Sequence, residues 1–206
     1  MILFELVGSE SHPAYQDMEI ANGNRQYDLL RSIVIASLQV EKLFLSQHVV
    51  KALNFHAITC LHTSAGEYRP CPVTVGSYQP PEHYRVPDLM EDFVNSINRS
   101  WEQSDAVLLA TVVLWRLNFI HPFINGNGRT ARAASYFVLC MKAGGWLPGA
   151  TILPELLRLN RAEHVAALKA GDQSYLAGNL DLTLLHSLVS RLLQEQLASS
   201  TAQAGP

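Results

Sequence analysis

The sequence contains no apolar run approaching the ~18 residues of a membrane-crossing helix, so no membrane partner is expected. It has no basic excess: 15 Lys and Arg against 18 Asp and Glu leave a formal net charge of -3. Nucleic-acid binders usually show the opposite balance, so no nucleic acid is expected as a partner. Cysteine is scarce; Cys60, Cys71 and Cys140 are odd in number and lack metal-ligand spacing. Reduced core thiols in a cytoplasmic protein are the expectation. The opening "MILFELVGSESHPAY" lacks the basic stretch and the apolar length of a secretion leader. Repeats and low-complexity tracts are absent too.

What is present is 206 residues, 48% hydrophobic and 16% charged, which suits one globular domain with a substantial core. The first ~20 residues read as irregular, and "ANGNRQY" (21–27) as a turn or helix cap. Over 27–45, Leu30, Ile33, Val34, Ser37, Leu38 and Leu43 fall at helical spacing. A shorter helix is expected over 54–65, stopped by Gly66. Prolines and β-formers in "GEYRPCPVTVGSYQPP" predict a small β-hairpin between helices. Helices are then expected over 86–98, 104–120, 129–143, 154–171 and 180–198, with "SSTAQAGP" frayed. The segment 104–120 is apolar almost all round, which places it at the centre of a bundle. The expected fold class is all-α with one small hairpin.

The stretch that this helical pattern does not explain is "HPFINGNGRTAR", residues 121–132. Gly126, Asn127 and Gly128 tolerate positive φ and can curl backbone N–H groups inward at a helix N-terminus, where an anion is favoured. Arg129 and Arg132, three positions apart, share a helical face and can reach one ligand. Two guanidiniums beside an amide nest suit a phosphate chain. His121, with a near-neutral ordinary pKa, can take a proton. No Gly-Lys-Ser/Thr follows, so the loop is not a P-loop.

"HPFINGNGRTAR" resembles the signature H-x-F-x-(D/E)-G-N-G-R-x-x-R of the Fic (filamentation induced by cAMP) domain family. "AGEYRPCPVTVG" is similar to the family's A-G-x-(Y/F)-R stretch and the flap hairpin behind it. The Pro80–Pro81 pair, "LMEDFV" and the apolar helix before His121 follow in the family's order. The resemblance runs over residues 50–175, and implies a Fic-type helical bundle. Residues 1–49 would be an N-terminal helical extension, and 176–206 a C-terminal helix with a frayed tail. It implies a protein adenylyltransferase that moves AMP from ATP, with Mg²⁺ or Mn²⁺, to a Ser, Thr or Tyr hydroxyl of a target protein. His121 would be the general base. Gly126, Asn127 and Gly128 would form the anion hole, and Arg129 and Arg132 would hold the outer phosphates. Phe123 would anchor the loop in the core. Pro72, Val73, Thr74 and Val75 of the flap would bind the target by strand addition.

The sequence departs from the family at several points. Asn125 stands where the family has Asp or Glu, which makes it a weak metal candidate and leaves open a catalytically weak, nucleotide-binding remnant. His164 and Val165 replace a Tyr-Tyr pair near the base, so transfer of another nucleotide or phosphate-containing group is the alternative. The family's inhibitory pattern (S/T)-x-x-x-E-(G/N) is begun at Ser37/Glu41, Thr63/Glu67 and Thr151/Glu155 but never completed. No self-inhibition of that type is expected, which leaves room for a separate antitoxin-like inhibitor. A homodimer is left open.

Overall fold

The computed structural model describes residues 2–41, 44–76 and 78–201. Leu43 of the expected helix 27–45 and residues 202–206 of the expected frayed tail lie outside the described residues. Among the described residues the architecture is all-α: α1 (Leu3–Val7), α2 (Pro13–Gln39), α3 (Gln47–Ile58), α4 (Val86–Arg99), α5 (Ala106–Ile120), α6 (Asn127–Ala143), α7 (Leu153–Leu159), α8 (Arg161–Leu176) and α9 (Thr183–Thr201). A 3₁₀ turn, His83–Arg85, leads into α4. None of these helices is long and apolar enough to cross a membrane.

The apolar segment expected at the centre is there. In α5, Leu109, Val113, Leu114, Trp115 and Leu117 are all buried, and α6 packs along it with Ala131, Ala134, Phe137, Val138 and Met141. Asp105 caps α5 by accepting from Leu108 N at 2.9 Å, and α6 ends at Gly144, whose φ is 73°. The helices α7, α8 and α9 cover one flank, and α2 and α3 the other. The buried Gln196 of α9 accepts from Leu153 N (2.7 Å) and donates to the Tyr136 hydroxyl (2.7 Å), which pins the last helix to α6 and α7.

The largest departure from expectation is at the N-terminal end. Residues 13–39 form one helix, running straight through "ANGNRQY". Tertiary bonds override the turn-forming residues: buried Asn22 donates to Thr59 O (2.8 Å) and buried Gln26 donates to Leu53 O (2.9 Å). With Leu30 and Val34 these make one face against α3. Helix α3 starts earlier than expected because Ser46 caps it, accepting from Val49 N at 3.1 Å. It also stops earlier, and residues 59–66 form a loop with Cys60, Ser64 and Gly66 at positive φ. The expected helix 154–171 is broken at Asn160 into α7 and α8. The expected hairpin is reduced to one antiparallel bridge, Val75 with Tyr78, the prolines leaving no longer ladder. Of the cysteines only Cys140 is buried; Cys60 and Cys71 are exposed, so they are not core thiols.

Candidate active site

The chain reverses between α5 and α6, and the reversal is held from four sides. His121 ends α5 in the left-handed conformation (φ 51°), its N–H donating to Leu117 O at 3.0 Å. Phe123, fully buried, drives the loop into the core. Asn127, only 3% exposed, clasps it: its Oδ1 accepts from Phe123 N and its Nδ2 donates to Phe123 O, both at 2.9 Å. Asn54 of α3 donates to Asn125 O (2.9 Å) and accepts from Gly66 N (3.0 Å). Gly126 must be glycine: its φ is +74°, and a Cβ there would stand 2.5 Å from Ile58 Cγ2.

Arg69 joins this loop to the flap. Its Nε donates to His121 O (2.8 Å), Nη1 to Cys71 O (3.2 Å) and Nη2 to Pro81 O, while its own N–H donates to Pro122 O (2.8 Å). One guanidinium thus gathers both ends of the flap at the histidine. Asn54 is not marked out by the sequence, since it acts on backbone groups distant in the chain; Arg69 is the Arg of the A-G-x-(Y/F)-R stretch, but its carbonyl partners are not legible there.

A cavity of about 1020 Å³ opens at the start of α6. Its walls include His121, Asn125, Gly126, Asn127, Gly128, Arg129 and Arg132, together with Thr74 and Val75 of the flap. Pro72 and Val73 are not part of that lining: Pro72 is exposed and Val73 half-buried. The first α6 hydrogen bond runs from Thr130 N to Gly126 O (2.9 Å). The N–H groups of Asn127, Gly128 and Arg129 are therefore the unpaired start of the helix, electropositive and aimed at the cavity end. The side chain of Asn127 is spent on the Phe123 backbone, so it is the N–H of this residue that can face an anion.

The two arginines differ. Arg132 folds back over the first turn, with Nη1 3.4 Å from the place a Cβ would take on Gly128, and its buried Nε has no partner. Arg129 is engaged: it donates to Ala57 O (2.8 Å) and Asn125 Oδ1 (3.1 Å) and pairs with Glu19 Oε1 (3.2 Å). The acid comes from α2, in a position the inhibitory pattern does not flag.

His121 is not near neutral. Burial, set against a long contact from Nδ1 to Asn118 O (3.4 Å) and reinforced by the Arg69 charge, lowers its pKa to about 4. It is uncharged at neutral pH. With the proton on the Nδ1 that faces the carbonyl, Nε2 is left as the proton acceptor. His164, 4% exposed behind Arg132, is likewise lowered to about 4 by burial and then by the Arg132 charge.

The residues do not fit a resident divalent metal. Asn125 Oδ1 already faces the Arg129 guanidinium, and its Nδ2 donates to Glu10 Oε1 at 2.9 Å. No group of three His, Cys, Asp or Glu among the described residues can hold an ion. A hard cation wants charged oxygens, and the oxygen that Asn125 offers is neutral and already accepts from Arg129.

Comparison with known proteins agrees with this geometry. Residues 44–139 match the model of the Fic/DOC family. Over those residues the chain is similar to Fic/DOC family domains. It is 35% identical over 121 residues to "Protein adenylyltransferase Fic" of Drosophila willistoni, covering 57% of this chain and 24% of that protein. It is 30% identical over 142 residues to "Protein adenylyltransferase fic-1" of Caenorhabditis briggsae, covering 68% and 26%. The chain thus spans about a quarter of the length of these relatives. In fold, a Fic-domain signaling protein of Bacteroides thetaiotaomicron superposes with a TM-score of 0.70 at 22% identity, covering 97% of this chain and 76% of that one.

Proposed function

We propose that this Fic domain is a protein adenylyltransferase, transferring AMP from ATP to a Ser, Thr or Tyr hydroxyl of a protein. The observation that carries the reading is the convergence on one cavity of a neutral histidine, an open helix start and the unpartnered Nε of Arg132. The names of the relatives support it.

In this reading the triphosphate lies along the start of α6. The N–H groups of Asn127, Gly128 and Arg129 stabilise charge on the α-phosphate, and Arg132 holds the outer phosphates. The backbone of Thr74 and Val75 aligns the target segment by strand addition. His121 Nε2 takes the hydroxyl proton. The new bond forms between the hydroxyl oxygen and the α-phosphorus, the bond from that phosphorus to the bridging oxygen breaks, and pyrophosphate leaves with both electrons. Most of the rate gain is positioning and charge stabilisation. Magnesium or manganese belongs to this reading only as the counter-ion that travels with the triphosphate.

Residues 50–175 are assigned as the Fic core, 1–49 as an N-terminal helical extension and 176–206 as the C-terminal segment that carries the helix Thr183–Thr201. A second reading, a weak nucleotide-binding remnant, is favoured by the engagement of Arg129 with Glu19 and Asn125. Incubation of the protein with a lysate and ATP, followed by peptide mass spectrometry, separates the two. The adenylyltransferase reading expects AMP on hydroxyl side chains with wild type and none with His121→Ala. Nucleotide binding without any modified peptide would leave the remnant.

A further inference from the structure

We propose that α2 is one wall of the phosphate subsite, with Gly23 leaving room for the terminal phosphate and Tyr27 donating its hydroxyl to it. The inference rests on the nucleotide reading above and extends it to residues outside the matched loop. Glu19, Gly23 and Tyr27 are one helical turn apart, so they share a face, and all three line the cavity. Glycine is the poorest helix former after proline, yet Gly23 sits in the interior of a long helix. Packing does not demand it: a Cβ built there meets nothing within 4 Å. What lies over Gly23 is the space of the cavity itself.

That space is bounded by the two arginines. On one side of Gly23, Glu19 reaches Arg129 at 3.2 Å. On the other, the Tyr27 hydroxyl stands in the field of Arg132, Glu155 and Arg158. It makes no hydrogen bond to any described residue. Burial pushes its pKa up to about 12, so it keeps its proton at any physiological pH. The nearby Nε of Arg132 is buried without an acceptor. Tyr27 and the guanidinium-bearing Arg132 both line this gap in a helix wall, a hydroxyl donor beside a cation, and that pairing suits a multiply charged anion.

Calorimetric titration of the full chain with the non-hydrolysable triphosphate AMPPNP and with AMP tests this. Wild type is expected to bind AMPPNP more tightly than AMP. Tyr27→Phe should weaken AMPPNP by about tenfold, the usual effect of losing a hydrogen bond to a charged group, with AMP unchanged. Gly23→Leu should raise Tm, because leucine favours helix, while abolishing AMPPNP binding and sparing AMP. If both variants bind AMPPNP as wild type does, the inference is overturned while the nucleotide reading stands. Equal weakening of AMP and AMPPNP would move Tyr27 to the nucleoside and also overturn it. Wild type that binds neither ligand would overturn the nucleotide reading, and the inference with it.

Discussion

At position 125 an amide does what a carboxylate could not. Its Nδ2 donates to Glu10 Oε1 at 2.9 Å while its Oδ1 accepts from Arg129 at 3.1 Å. Asn125→Asp would remove the donor and bring two carboxylates together. In chelator we expect it to cost about 1–2 kcal/mol. Thermal melts with and without Mg²⁺ check this: the variant should be stabilised by the ion and wild type should not. A variant as stable as wild type and indifferent to Mg²⁺ would contradict the account of this contact. Glu19 is the second residue to watch. Replacing it with Gln removes a carboxylate that competes with phosphate for Arg129, so AMPPNP affinity should rise about two- to fivefold. Unchanged or weaker affinity would mean that the ion pair does not oppose the ligand. At His121 the lowered pKa, about 4, has a kinetic counterpart. The acid limb of the pH–rate profile should fall near pH 4, leaving the rate flat across the neutral range. An acid limb near the ordinary histidine value would contradict the burial argument.

At the scale of elements, the flap depends on one side chain. Arg69→Lys keeps the charge but cannot donate to His121 O, Cys71 O and Pro81 O together. The expected result is a higher KM for the protein target with nucleotide affinity unchanged; equal loss of both would mean that Arg69 holds the α6 start as well. The sequence made the α5–loop–α6 unit legible, because its signals are local: an apolar helix, then a Gly-Asn-Gly run suited to positive φ, which Gly126 adopts, and a second helix. It misled at α2, because Asn22 and Gln26 carry no helical periodicity of their own and become core residues only by bonding to Thr59 O and Leu53 O. Missing α2 as a continuous helix also hid Glu19 and Tyr27 from the site. The expected small hairpin is present in its shortest form: the Val75–Tyr78 bridge, with both backbone bonds at 2.9 Å, is all the pairing the described residues make.

For the whole molecule, burial of two histidines links stability to pH. The pKa values of His121 and His164 are both lowered to about 4. Above the ordinary value of about 6.5 each is neutral whether folded or unfolded. As pH falls below that, the unfolded chain takes up protons that the folded one refuses, so stability is lost progressively down to about pH 4. The loss should be on the order of a few kcal/mol. Urea melts at neutral pH and near pH 4.5 should show it, and His164→Leu should flatten the difference; an unchanged pH slope in that variant would count against a neutral buried imidazole. The account's central claim concerns the α-phosphorus. It is tested most directly by label transfer to lysate proteins from ATP labelled at the α-phosphate, with γ-labelled ATP in parallel and His121→Ala as control. The account predicts protein label from the α position alone, lost in the variant. Label from the γ position, or α label that survives His121→Ala, would contradict it.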